Sequence, residues 1–313
     1  MEQVFGDPAK QALYIQVVDA LNAVFGVHPG FRAAHAKGVV CRGTFRPAAT
    51  AASLSCAGHF QTTAVPVTVR FSNSTGVPNI PDFDPHATPK GMAVKFHVPG
   101  VGDTDIVAAS SNGFPVSTAE EFLEFVRAIA GSGPDAAKPT PTDRFLSTHP
   151  RTLAFLALPK PTPASYGSES YFALNAFRFI NREGARRFGR YFIRPVGGNQ
   201  YLDQAEAEKK SPDFLAEEIA TRLAAAPVDF RLSAQLALPG DPTHDGSSVW
   251  PDDRPQVELG ILSLTERAAD SDAAQKALIF DPSRLSAGIE LGDDPLPLDR
   301  SGVYAVSYAR RNP

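Results

Sequence analysis

Between Val228 and Leu238 every second residue is apolar: Val228, Phe230, Leu232, Ala234, Leu236 and Leu238. Side chains of a strand point alternately to opposite faces, so this run can only be satisfied as a strand with one face buried. Seven more runs are short, β-branched or aromatic, and bounded by Gly, Pro, Asn or Asp: 38–45, 65–72, 92–98, 105–108, 173–180, 187–193 and 257–264. Eight such strands, the early ones a hairpin's length apart, predict an α+β fold. Its centre is an eight-stranded antiparallel β-barrel with helices outside, and residues 1–313 form a single domain.

The helices announce themselves by their ends. Asp7-Pro8 opens a segment in which Leu13, Val17, Leu21, Val24 and Phe25 recur at helical spacing, and Gly26 closes it. Thr118-Ala119-Glu120-Glu121 reads as a capping box ahead of Phe122, Phe125, Val126 and Ile129. Ser211-Pro212 starts an amphipathic helix carrying Phe214, Leu215, Ile219 and Leu223. The intervening stretch 131–163, rich in Pro, Ala and Thr, reads as a segment wrapped over the core.

Composition narrows the partners. Thirty Lys+Arg against 34 Asp+Glu give a net charge of −4, which disfavours nucleic acid and anionic membranes. Two cysteines are too few for a disulfide framework or a four-cysteine zinc site, and Cys41, in a strand, reads as a small buried hydrophobe. Residues 1–5 lack a signal pattern and no apolar run reaches membrane-spanning length, so a cytoplasmic protein is expected. Phosphate-binding glycine loops, Gly-x-Ser-x-Gly elbows and His-Glu-x-x-His helices are absent from the sequence.

Three places can carry chemistry. His35, just before the first strand, is either a hydrogen-bonded structural residue or an acid/base group, and the other six of the seven histidines compete for that role. Arg70 sits inside the apolar run Val67-Thr68-Val69-Arg70-Phe71-Ser72; a charge there needs either a local Asp or an outside anion. Near the C-terminus stand Asp294, Arg300, Tyr304, Tyr308, Arg310 and Arg311. On a helix Arg300 and Tyr304 share one face, and an Arg beside a phenol favours the phenolate, the form that binds Fe(III). A cationic terminal helix with an amphipathic Tyr is the simpler reading of the same residues.

These segments together, in order and over most of the chain, resemble the haem catalase family. Arg32-x-x-His35-Ala36-Lys37-Gly38 is similar to its distal-histidine motif, Val69-Arg70-Phe71-Ser72 to the second strand, and Lys90-Gly91-Met92-Ala93-Val94-Lys95-Phe96 to the third. Asp105-Ile106-Val107 through Phe114, Phe122-x-x-Phe125, Trp250-Pro251 and Phe280-Asp281-Pro282 continue in register. Asp294, Arg300, Tyr304 and Arg311 fall at the spacing around the family's proximal tyrosine.

The resemblance implies haem b, with Tyr304 as the iron ligand, Arg300 keeping it a phenolate and Asp294 orienting Arg300. It implies His35 as the distal acid/base, Ser72 as its hydrogen-bonding support, Arg32, Arg70 and Arg311 on the haem propionates, Phe122 over the haem face and Val107 beside the pocket. The chain is shorter than a typical catalase and lacks its N-terminal arm and C-terminal extensions. It therefore looks like a minimal catalase-fold haem peroxidase, expected to be a monomer or a homodimer.

Two departures stand out. Ungapped register puts Ala109 where the family has a distal asparagine, with Ser110, Ser111 or Asn112 as substitutes only if the loop shifts; Asn112 is the catalytic candidate among them. A histidine of the proximal network falls near Asn175. The implied function is reduction of hydrogen peroxide and organic hydroperoxides through a ferryl intermediate, with a small-molecule electron donor and weak catalase activity. The alternatives are a fatty-acid hydroperoxide lyase or dehydratase of the allene oxide synthase kind, a true catalase, and a non-catalytic haem carrier.

Overall fold

In the computed structural model, which describes residues 7–61 and 63–312, the eight expected strands are all present. They are β1 (Gly38–Pro47), β2 (Val65–Asn73), β3 (Lys90–Val98), β4 (Gly102–Ala109), β5 (Tyr171–Ile180), β6 (Arg186–Pro195), β7 (Val228–Leu236) and β8 (Gln256–Arg267). Neighbours run β5-β4-β3-β2-β1-β8-β7-β6, and β6 pairs back onto β5, so the sheet closes with every pairing antiparallel. A short β9 (Ile289–Leu291) adds to β5. The seam between β4 and β5 is a single pair, Ala109 opposite Phe172.

The alternation decides which residues see the core. Val67, Val69 and Phe71 of β2, Met92, Val94 and Phe96 of β3, and Ile106 and Ala108 of β4 fill the interior. Their neighbours in sequence face the other way: Arg70, Ser72, Gly91, Ala93, Val107 and Ala109 line a cavity outside the barrel wall. Leu238, last of the alternating residues, lies beyond the end of β7 in the turn closed by Leu238 N–H donating to Asp241.

Seven helices of seven residues or more surround the barrel: α1 (Pro8–Phe25), α2 (Ala119–Ala130), α3 (Pro141–Thr148), α4 (Pro150–Ala157), α5 (Phe214–Ala225), α6 (Ser271–Ala277) and α7 (Leu296–Arg311). Asp7 caps α1 and Gly26 ends it in a left-handed conformation. At α2 the box is only half closed. Thr118 accepts from Glu121 N–H, but the Glu121 carboxylate turns to Ser117, accepting from its N–H and hydroxyl at 2.9 Å each. The stretch 131–163 carries α3 and α4, because Pro141 and Pro150 occupy first-turn positions where no N–H is needed.

Helices α1, α2 and α7 pack together through Leu13, Tyr14, Val17, Leu21, Leu123 and Val126. A β-carbon at Gly302 would meet the Tyr14 ring at 2.2 Å, so only glycine lets α7 approach α1 this closely. The Tyr14 hydroxyl then donates to Asp299 at 2.9 Å and Lys10 pairs with the same carboxylate at 3.1 Å. These contacts hold α7 against the cavity.

His59 is buried beside Phe60, Phe96 and Phe45, and its Nδ1 has no hydrogen-bond partner among the described residues. Burial pushes its pKa down to about 3. The unfolded chain takes up this proton near pH 6.5 and the native protein does not, so stability falls as pH drops from about 6.5 toward 3. His59→Phe is expected to flatten this dependence by about 2 kcal/mol at most between pH 7 and 5, read from urea midpoints of both proteins.

Candidate active site

The turn before β1 holds His35 in the left-handed region at φ 56°, where no other non-glycine residue among those described has a positive φ. Such a conformation costs about 1–3 kcal/mol and persists only when its surroundings fix it. Three bonds do so. His35 N–H donates to Ser74 O at 3.2 Å, Arg70 Nη2 donates to His35 O at 2.8 Å, and His35 Nδ1 pairs with Ser72 Oγ at 2.9 Å. Burial, followed by the charges of Arg70, Arg300 and Arg32, pushes the imidazole down to about 3, so it is neutral at physiological pH and its Nε2 is free to exchange protons. Gly91 lies against this pair: a β-carbon there would sit 2.7 Å from Ser72 Oγ and 2.9 Å from His35 Nδ1.

Tyr304 enters the same cavity from α7. One helical turn earlier, Arg300 donates to the Tyr304 hydroxyl oxygen from Nε at 3.1 Å and from Nη2 at 3.0 Å. The third arm, Nη1, donates to Asn175 Oδ1 at 3.0 Å, and Asn175 Nδ2 donates to Asp294 Oδ2 at 2.8 Å. Asp294 thus reaches Arg300 through a neutral amide rather than directly. Its other oxygen accepts from Leu296 N–H at 3.0 Å, so the same carboxylate caps the start of α7. Asn175 reaches the cavity where the β5–β6 register shifts between Ala173 and Phe177.

The cavity between these two groups has a volume of about 410 Å³ and is walled by apolar side chains including Phe114, Phe122, Val126, Phe155 and Phe280. Arg32, Arg70, Arg300 and Arg311 line it, with Asp299 as the one lining carboxylate, already engaged by Tyr14 and Lys10. No ion pair among the described residues involves Arg32, Arg70 or Arg311. Their hydrogen-bond partners are the carbonyls of His35, Ala36, Gln275 and Leu278 and the Gln275 side chain; Arg311 also lies over the Tyr308 ring, and its buried Nε has no hydrogen-bond partner among the described residues. Burial pushes Arg70 and Arg311 down to about 10, and Arg32, buried beside both, falls further. A cluster of like charge in an apolar wall is favoured by an anion among it.

His35, Ser72, Arg32, Arg70, Val107, Phe122, Arg300, Tyr304 and Arg311 all line this one cavity. Arg70 meets no Asp, which leaves the outside-anion reading of that residue. Asn112 is not among the residues that line the cavity, whereas Ala109 is. The loop does not shift, because Ala109 stays paired with Gly91 and Phe172, and Lys90 binds Ser110 from both sides. Cys41 is fully buried and its thiol is pushed up to about 12, so it is an inert core residue. Gly91, Gln275 and Leu278 shape the site without any mark in the sequence as functional residues.

A closed eight-stranded barrel with an imidazole–serine pair and an arginine-backed phenol on one cavity outside its wall defines an oxidoreductase of the catalase fold. The catalase family pattern matches residues 29–312. The chain is 38% identical over 299 residues to a catalase-related peroxidase of Mycolicibacterium paratuberculosis, covering 95% of this chain and 94% of that one. It is 35% identical over 301 residues to a catalase-related peroxidase of Synechococcus elongatus, covering 95% and 88%. In fold it is similar to catalase A from Saccharomyces cerevisiae, with a TM-score of 0.79 at 21% identity, covering 90% of this chain and 61% of the other. A fungal catalase gives the same score, with 59% of its chain covered. The chain belongs to the catalase family.

Gly91→Ala should push the His35 ring off Ser72 while the barrel remains folded. The expected result is altered imidazole ¹⁵N resonances of His35 with an unchanged circular dichroism spectrum; unaltered resonances would contradict the packing described here.

Proposed function

We propose that the protein is a haem peroxidase that binds haem b and reduces hydrogen peroxide and organic hydroperoxides with electrons from a small-molecule donor. The observation that carries this reading is the cluster of Arg32, Arg70 and Arg311, which have no ion pair among the described residues, beside an apolar cavity that also holds His35 and the Arg300–Tyr304 pair. A flat, apolar cofactor with two carboxylates answers both features. Among the described residues no three His, Cys, Asp or Glu side chains cluster to hold a metal ion, which suits an iron that arrives with ring nitrogens of its own and takes one protein ligand.

Tyr304 would supply that ligand, and Arg300 holds its oxygen by two charge-assisted bonds. Arg32, Arg70 and Arg311 would bind the propionates, with Phe122 and Val107 against the ring. When bound, the haem supplies the two electrons that cleave the peroxide O–O bond and recovers them from the donor. His35 takes the proton from the peroxide oxygen that binds first and delivers it to the leaving oxygen, which departs as water or an alcohol. Ser72 keeps Nδ1 engaged, so Nε2 handles the proton. Because burial keeps His35 neutral well below pH 6.5, the base stays available in weak acid.

Ala109 shapes the balance of activities. Its methyl group offers no hydrogen bond to orient a second hydrogen peroxide as reductant, so an outside donor takes that role. It also leaves room for an organic hydroperoxide. His35→Ala is expected to retain haem but lose about a hundredfold or more in peroxide-dependent dye oxidation. Ala109→Asn is expected to raise oxygen evolution relative to dye oxidation by roughly tenfold. Unchanged turnover in His35→Ala would favour a haem carrier. Conversion of a lipid hydroperoxide without donor consumption would favour a lyase or dehydratase.

A further inference from the structure

Three of the four cavity arginines, Arg32, Arg70 and Arg311, are held by the end of α6 and the residue that follows it. Gln275, on α6, accepts through its side-chain oxygen from Arg70 Nε at 3.2 Å and Nη2 at 2.9 Å, and through its backbone carbonyl from Arg32 Nη2 at 2.8 Å. Three residues on, Leu278 O accepts from Arg32 at 2.9 Å and from Arg311 at 2.7 Å. The Gln275 amide is itself fixed, because its Nε2 donates to Asp272 Oδ1 at 2.8 Å, which turns the oxygen toward Arg70. Gln275 is buried and lies behind the cavity wall, not in it.

A buried guanidinium is usually held by a carboxylate, since pairing of charge offsets the loss of water. Glutamate at position 275 has the same length and could accept the same two bonds, at the loss of the donor that now meets Asp272. It would also cancel the charge of Arg70. An amide orients the guanidinium and leaves its charge intact.

We propose that Gln275 is the positioning residue of an anion seat: it fixes Arg70 and Arg32 without neutralising them, so that their charge is kept for the two carboxylates of a bound haem. This rests on the haem reading above. The role belongs to residues outside the cavity, and it explains why a neutral side chain sits at the one place where a carboxylate would fit Arg70 best. Gln275 acts through Arg70 and touches nothing in the cavity itself.

The test is binding, read by absorbance, of ferric haem b and of its dimethyl ester to haem-free protein. The ester has the same ring and iron but no anionic groups. Wild-type protein should bind the diacid more tightly than the ester. Gln275→Glu should weaken the diacid by about tenfold or more and leave the ester unchanged. Gln275→Leu, which keeps the charge and loses only the orientation, should weaken the diacid less than Glu does. Equal weakening of both haems by Gln275→Glu, no weakening of either, or a greater loss in Gln275→Leu than in Gln275→Glu would overturn the proposal while leaving the haem reading in place. Wild-type protein that binds neither haem, or does not distinguish them, would overturn the anion seat together with the haem reading on which it rests.

Discussion

Guanidinium charge in an apolar cavity is the constraint around which the site is arranged. Arg32, Arg70, Arg300 and Arg311 reach the cavity from three different segments, the last two from α7, and the one carboxylate in its lining is spoken for by Tyr14 and Lys10. Desolvating a charge without a counter-ion costs several kcal/mol, so this arrangement favours an anionic ligand. Arg70 does more than contribute charge: its bond to His35 O holds the imidazole in a backbone conformation that the residue does not prefer. The Arg70 guanidinium and the His35 imidazole are therefore mechanically one unit.

The barrel makes this possible by having two useful faces. Its interior is packed with large apolar side chains, and its outer wall on β2, β3 and β4 carries small or polar residues that leave a cavity under α1, α2 and α7. Glycine is needed at two points of closest approach. Gly302 lets α7 lie on Tyr14, which sets where Tyr304 stands, and Gly91 leaves the space that His35 and Ser72 occupy. The phenol side is tied in the same way, through a chain from Asp294 to Asn175 to Arg300 that begins at the helix cap. Helix α7 thus places the phenol, while the turn that carries His35 is pinned by its bonds to Arg70, Ser72 and Ser74.

Much of this was legible in the chain. Alternation in the 228–238 run and the turn residues between strands were enough for the barrel, and the four-residue spacing of Arg300 and Tyr304 was enough for their contact. The pairing of His35 with Ser72, 37 residues apart, followed only from family resemblance, because no local pattern links them. Two things were out of reach. Alternation separates the two faces of a strand but does not say which face meets water and which a helix, so the cavity's place outside the barrel was hidden. Gln275 was hidden too: it is an amide in a seven-residue helix, and its partner Arg70 is 205 residues away. The helices within 131–163 were not legible for a local reason, since proline in a first helical turn looks like proline in a loop.

The claim at the centre of this account is that Tyr304 is an iron ligand held by Arg300. The absorption spectrum of haem-loaded protein beside that of Tyr304→Phe tests it most directly. A high-spin ferric spectrum of the tyrosinate type in the wild type, lost in the variant, is the predicted result. Identical spectra for the two proteins, or a low-spin histidine-ligated spectrum in the wild type, would contradict it.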